Sequence, residues 1–316
     1  MTSPSDPAGR PNHAEARGQA LYRRAKQLIP GGTQLLTKRP ELHLPEHWPS
    51  YFRSAHGASL IDLDGNRFLD MSYSAVGACI LGYADPDVNE AVKHAIDAGT
   101  MATLNCPEEV ELAELLVEIH PWAERVRFAR GGGEAMAIAV RIARAATGCD
   151  KIAFCGYHGW HDWYLAANLG SDSLDGHLLP GLEPAGVPRG LAGTALPFHY
   201  NRLDELAVIL DAHAGEIAAI VMEPIRGTEP EPGFLLGVRQ AANRAGAVLV
   251  FDEITAGFRL DHGGAHLTLG VEPDIAVFAK GLGNGYPIAA VIGTAGAMDA
   301  AQGTFIRAAN RSLGKT

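Results

Sequence analysis

The sequence predicts an α/β fold, a mostly parallel β-sheet with helices on both faces. Three observations carry that expectation. From Arg125 onward, short apolar runs such as "IAAIVM" and "AVLVF" alternate with longer segments of helical period. Such runs are apolar on both faces, as strands covered on both sides must be, whereas a half-exposed strand alternates. Gly and Pro stand at most of the junctions and separate the elements.

The elements follow in chain order. Residues 1–18 are polar, with Pro and Gly and no apolar signal core, and read as a disordered lead-in. "HAEARGQALYRRAKQLIPGG" is a helix stopped by Pro30 and Gly31. "SLIDLDGNRFLDMS" is a hairpin turning at Asp64, Gly65 and Asn66. These two make an N-terminal segment, residues 19–75. A large domain of residues 76–305 follows, then a divergent tail, 306–316. Within the large domain, "DPDVNEAVKHAID" and "CPEEVELAELLVEIHP" are amphipathic helices with acids in their first turns, where the helix dipole favours them. Strand and helix then alternate. The strands are "RVRFA", "KIAFCG", "IAAIVMEP", "AVLVFDE", "DIAVFA" and "AAVIGT". The helices are "GGGEAMAIAVRIARAATG", "RLDELAVILDAHA" and "LLGVRQAANRAG". "SDSLDGHLLPGLEPAGVPRGLAG" is a long Gly/Pro-rich loop, and loops of that length often cover functional sites.

Composition narrows the function. With 316 residues, 47% of them hydrophobic, the chain is long enough for one large domain or two smaller ones. A net charge of −10 argues against nucleic acid as a partner. No apolar run reaches the roughly 18 residues of a spanning helix, so no membrane role is expected. Cys79, Cys106, Cys149 and Cys155 form no CxxC pair and read as free thiols of a reducing cytoplasm.

In a sheet of this type the active site lies beyond the carboxyl ends of the strands. That rule selects Arg130 to Gly133, Gly156 to Asp162, Glu223, Asp252 to Thr255, and Lys280. Gly131, Gly132 and Gly133 follow a strand and open a helix. They are either a phosphate cradle or a plain strand-to-helix turn. "YHGWHDWY" offers an aromatic ring for stacking on a flat heterocycle, with Trp160 and Trp163 read as a packed aromatic loop. His158, His161 and Asp162 are metal-ligand types, but no further cluster joins them, and no metal is expected. Asp252 ends an apolar strand, so its carboxylate needs a cationic or hydrogen-bonding partner. A protonated pyridine nitrogen, a helix cap and a structural ion pair all meet that need. Glu253 reads as structural or rim. Lys280, at the mouth of "DIAVFA", either snorkels to solvent or is a reactive amine.

"VFDEITAGFR" followed by "DIAVFAKGLGNGYPIAAVIG" resembles the pyridoxal-phosphate signature of the class III aminotransferases. The likeness is to the branch around glutamate-1-semialdehyde 2,1-aminomutase. "IPGG", "LDGNRFLD", "LGYADPDV", "YHGWHD" and "MEPI" resemble that branch too, in order, from about Gln19 to Phe305. The resemblance implies a fold-type-I pyridoxal-phosphate transferase whose C-terminal small domain is largely missing from this chain. It implies that Lys280 forms a Schiff base with the cofactor and that Asp252 holds the pyridine nitrogen. It places Ile254 below the ring and Tyr157 above it, with His158 and Glu223 near the cofactor. Gly132 and Gly133 match the phosphate turn, usually Ser-Gly-Thr, so a hydroxyl donor is lost at 133. Thr304 resembles the threonine that reaches the phosphate of a neighbouring subunit, which implies a homodimer with shared active sites.

The expected function is cytoplasmic amino transfer between an amino donor and a keto or aldehyde acceptor. Two departures weigh against the aminomutase alternative. Lys38 and Arg39 stand where that branch has an arginine for the substrate carboxylate, and Val76 stands in place of a tryptophan. They favour another acceptor, such as a sugar or small keto compound. A third reading is a truncated relative that binds cofactor without turnover.

Overall fold

The computed structural model describes residues 16–170 and 183–305, with the side chains of 303–305 outside the description. The lead-in up to residue 15, the first twelve residues of the long Gly/Pro-rich loop and the tail from residue 306 therefore lie outside it. The chain divides into two compact units, Met1–Met101 and Ala102–Thr316.

The first unit holds a helix, Arg17–Leu28, and an antiparallel sheet of β1 (Phe52–His56), β2 (Ser59–Asp62) and β3 (Arg67–Leu69). β2 and β3 are the expected hairpin. Its turn is built by Asp62, whose Oδ1 accepts the Asp64 and Asn66 amides at 2.9 and 2.8 Å. Gly65 takes φ 89°, open to glycine without strain. In the helix Pro86–Ala98, Asp85 accepts the Asp87 and Val88 amides, so "DPD" is a cap with proline at the first turn. β1 was not expected, because "FRSAH" carries almost no apolar signal and its side chains are mostly exposed.

The second unit is a seven-stranded sheet in the order β4-β10-β9-β8-β7-β5-β6. Its strands are β4 (Arg125–Ala129), β5 (Lys151–Cys155), β6 (Ala195–Pro197), β7 (Ile217–Met222), β8 (Val248–Asp252), β9 (Ile275–Phe278) and β10 (Ala289–Gly293). Four pairings are parallel and two, both made by β10, are antiparallel. The connection from β9 to β10 explains the reversal. It holds only a short 3₁₀ turn at Lys280–Gly283, and a parallel neighbour needs a longer crossover. β6 was missed because it is three residues long and ends in proline, which only an edge strand tolerates.

Alternate side chains of the central strands enter opposite faces, as the pleat requires. Val221, Val250 and Val277 join one core with the helix Gly132–Thr147, through Ala135, Met136, Ala139 and Ile142. Ile220, Met222, Leu249 and Phe251 join another with the helix Phe234–Ala245, through Phe234, Leu235 and Val238. Each large side chain fully buried here stabilises the fold by about 1.5–3 kcal/mol.

A buried polar knot lies beneath β8. Glu253 is completely buried. Its carboxylate accepts the Ala265 amide at 3.0 Å, the His266 amide at 2.9 Å and His266 Nδ1–H at 2.8 Å. Trp122 Nε1–H donates to His266 Nε2 at 2.9 Å, which fixes the histidine as the Nδ1–H tautomer. Glu253 is therefore structural and not a rim residue. Glu253→Gln turns an amide NH₂ toward a donor, so denaturant unfolding should show a loss of about 1–3 kcal/mol. An unchanged midpoint would mean that the knot does not hold this segment.

Candidate active site

The carboxyl ends of β5, β7, β8 and β9 converge on the positions chosen from the sequence. Asp252 ends β8 and is buried. Its Oδ1 accepts the Ile254 amide at 3.0 Å. Its Oδ2 meets His158 Nδ1 at 2.8 Å, while His158 Nε2 lies 2.9 Å from the Cys155 carbonyl. A carbonyl only accepts, so Nε2 carries a hydrogen. The contact with Asp252 needs one more proton, on Nδ1 or on the carboxylate. His158 is fully enclosed, stacked on Trp163 with ring centroids 6.1 Å apart. It braces Asp252 from behind, and both its nitrogens are engaged.

Lys280 follows β9 at φ 49°. A non-glycine residue in that left-handed region is strained by about 1–3 kcal/mol, and such strain gathers at functional sites. Its Nζ donates to Thr255 Oγ1 at 2.9 Å. Burial pushes the Lys280 amine below its usual range; Arg226 and Arg259 add to this, while Asp252 and Glu223 oppose it. A lysine with a lowered folded pKa destabilises the fold most at pH values below that pKa. The penalty fades as pH rises and is gone above the unfolded value of 10.5. Without added ligand, Lys280→Met should therefore melt above wild type at neutral pH, with the gap closing as pH approaches 10.5. A gap independent of pH would contradict the buried amine.

Glu223 follows β7 and is buried. Burial, then the charge of Asp252, raises its carboxyl above the usual range, against the pull of Arg226. Arg226 Nη1 donates to Glu223 Oε2 at 2.8 Å, and its side chain is 42% exposed. Gly156 takes φ 109°, and a Cβ there would lie 3.3 Å from that same oxygen. Tyr157 is half-buried and edge-on to Tyr164 at 5.8 Å, and burial raises its phenol. Trp163 is 5% exposed, as expected of a packed loop, but Trp160 is 65% exposed and does not belong to the packed aromatics.

The helix Gly132–Thr147 opens at the same end of the sheet. A Cβ on Gly132 would come 2.8 Å from Ile254 Cδ1, so a side chain there would push Ile254 from its place over this turn. Glu134 accepts the Arg130 amide at 3.0 Å and closes the first turn. Residue 304 belongs to the last helix, Ala300–Phe305, but the Thr304 side chain lies outside the described residues. The strand-end rule reached Thr255 without giving it a role, and Arg226 was not singled out. Nothing in "EIT" or "PIRG" marks them, since their roles depend on contacts made across neighbouring strands.

Residues 45–308 match the family description "Aminotransferase class-III". The chain belongs to the class-III aminotransferase family. 3-aminobutyryl-CoA aminotransferase of Cloacimonas acidaminovorans (strain Evry) is 38% identical over 88% of this chain and 64% of its own length. Glutamate-1-semialdehyde 2,1-aminomutase of Symbiobacterium thermophilum is 40% identical over 90% of this chain and 65% of its own length. The solved PLP internal aldimine form of the Sphingopyxis sp. MTA144 FumI protein superposes with a TM-score of 0.81. It is 31% identical over 92% of this chain and 67% of its own. The chain thus spans less than two-thirds of the length of the two curated relatives, and it shares the pyridoxal-phosphate transferase fold.

Proposed function

We propose that this class-III chain is a pyridoxal-phosphate-dependent aminotransferase in which Lys280 carries the cofactor and moves the proton. One observation supports this above the rest. A half-buried lysine with a depressed pKa stands just beyond β9, and a buried carboxylate ends the adjacent parallel strand β8.

The residues present fit the cofactor. Asp252 uses two of its roughly four acceptor positions on Ile254 and His158, which leaves room for a ring nitrogen. Ile254 offers one aliphatic face, and Tyr157 an aromatic one. Gly132 and Gly133 bring the first amides of a sixteen-residue helix to bear on a phosphate. Pyridoxal phosphate, when bound, supplies an aldehyde that condenses with amines and a ring that takes up electrons from the substrate carbon. Lys280, whose pKa burial lowers, would accept and return the proton at that carbon. Thr255 Oγ1 holds Nζ on the site side. Asp252, braced by His158, would turn its remaining acceptor positions to the ring nitrogen. Glu223 and Arg226 form the polar wall beside it.

A homodimer is proposed with it, Thr304 reaching the neighbouring subunit's phosphate. The exposure of Met71 (84%) and Met101 (91%) in the first unit supports a covered surface there. Cys79, Cys106, Cys149 and Cys155 form no disulfide, in keeping with a cytoplasmic enzyme. No helix among the described residues is long and apolar enough to cross a membrane.

The aminomutase remains the second reading, because relatives bearing that name reach 40% identity. A panel of amino donors tests the first. At least one donor should convert the bound cofactor to its amine form, and an added keto acceptor should then be consumed. Isomerisation without an acceptor would favour the mutase. No conversion by any donor would contradict both.

A further inference from the structure

The phosphate turn lacks the hydroxyl side chain that the family signature places at position 133. The structure fills that space with another group. A Cβ on Gly133 would lie 2.7 Å from His161 Cε1 and 2.8 Å from His161 Nδ1. The imidazole therefore occupies the volume that a threonine would take. His161 Nδ1 is buried and has no hydrogen-bond partner. Buried polar atoms without partners are few in folded proteins, and each calls for a missing ligand or a cost.

The local chain is shaped to bring it there. Gly159 takes φ 98°, and a Cβ on it would meet Gly133 Cα at 3.2 Å. Two glycines thus let the loop press against the helix start with no side chain between. The His161 carbonyl accepts the Tyr164 and Leu165 amides at 2.9 and 3.1 Å, which anchors the residue at the head of a short helix. Glu134, the acid in the first turn of the helix Gly132–Thr147, is engaged by the Arg130 amide.

We propose that His161 Nδ1–H donates to the cofactor phosphate and replaces the hydroxyl lost at Gly133. This rests on the cofactor reading above. An imidazole N–H to a phosphate oxygen is a charge-assisted bond, and it adds to the amides of Gly132 and Gly133. Glycine at 133 and histidine at 161 then form one device, since a threonine would collide with the ring.

The test compares binding of pyridoxal phosphate with binding of pyridoxal, which has the same aldehyde and ring but no phosphate. His161→Ala should bind pyridoxal phosphate roughly 10- to 100-fold more weakly and pyridoxal equally well. His161→Asn, whose Nδ2 can stand where Nδ1 stood, should keep most of the affinity. Gly133→Thr combined with His161→Ala should recover it by restoring the hydroxyl. Equal losses for both ligands, or no recovery in the double variant, would overturn the proposal. Wild-type protein that binds neither ligand would instead overturn the cofactor reading itself.

Discussion

Lys280→Ala should lower amino transfer by at least roughly 10²–10⁴-fold, the range of a lost general base. It should also leave no cofactor that borohydride can fix to the chain. Both losses come from one atom. On the proposed reading Nζ is the amine that condenses, and its partial burial lowers its pKa, which favours the neutral form that accepts a proton. Thr255 Oγ1, at 2.9 Å, cannot substitute for it, because a hydroxyl forms no imine. Lys280→Arg should fail as well, since a guanidinium stays charged and does not condense. Stability should separate from activity in these variants, because removing a partly buried amine relieves a penalty. A Lys280→Ala protein that unfolds more easily than wild type and still transfers amino groups would overturn this assignment.

Asp252→Ala should damage both fold and function. It strips the buried His158 Nδ1 of its partner. Leaving a buried polar group without its hydrogen-bond partner costs about 1–3 kcal/mol. Asp252→Asn separates the two effects. The amide oxygen can keep the Ile254 amide, and the amide NH₂ can donate to His158 Nδ1. His158 Nε2 stays on the Cys155 carbonyl, and every buried polar group retains a partner. Stability should then stay within about 1 kcal/mol of wild type. The charge facing the ring is nevertheless gone, and the rate should fall by roughly 10²–10³-fold, as when one preorganised electrostatic partner is removed. Unfolding curves and initial rates of the two variants, measured side by side, distinguish the roles. Equal activity of Asp252→Asn and wild type would remove Asp252 from the chemistry.

The sequence made the architecture legible because the central strands are buried on both faces. "IAAIVM", "VLVFD" and "IAVF" could be little else, and the rule for strand ends then led to Asp252 and Lys280. The orientation of β10 was not legible, since an apolar run does not say which way it runs. Contacts between distant residues were also hidden. Asp252 and His158 are 94 residues apart, and Trp122 and His266 are 144 apart. Asp252 declared its need for a partner, but three kinds could satisfy it. The packing of His161 against Gly133 left one trace in the sequence, a glycine where the family signature carries a hydroxyl.

The most direct measurement locates the cofactor bond. The purified chain is loaded with pyridoxal phosphate, reduced with borohydride, digested and sequenced by mass spectrometry. The added pyridoxyl group is expected on the peptide containing Lys280 and on that residue within it. Reduction that leaves Lys280 unmodified, or fixes the group on another lysine, would contradict it.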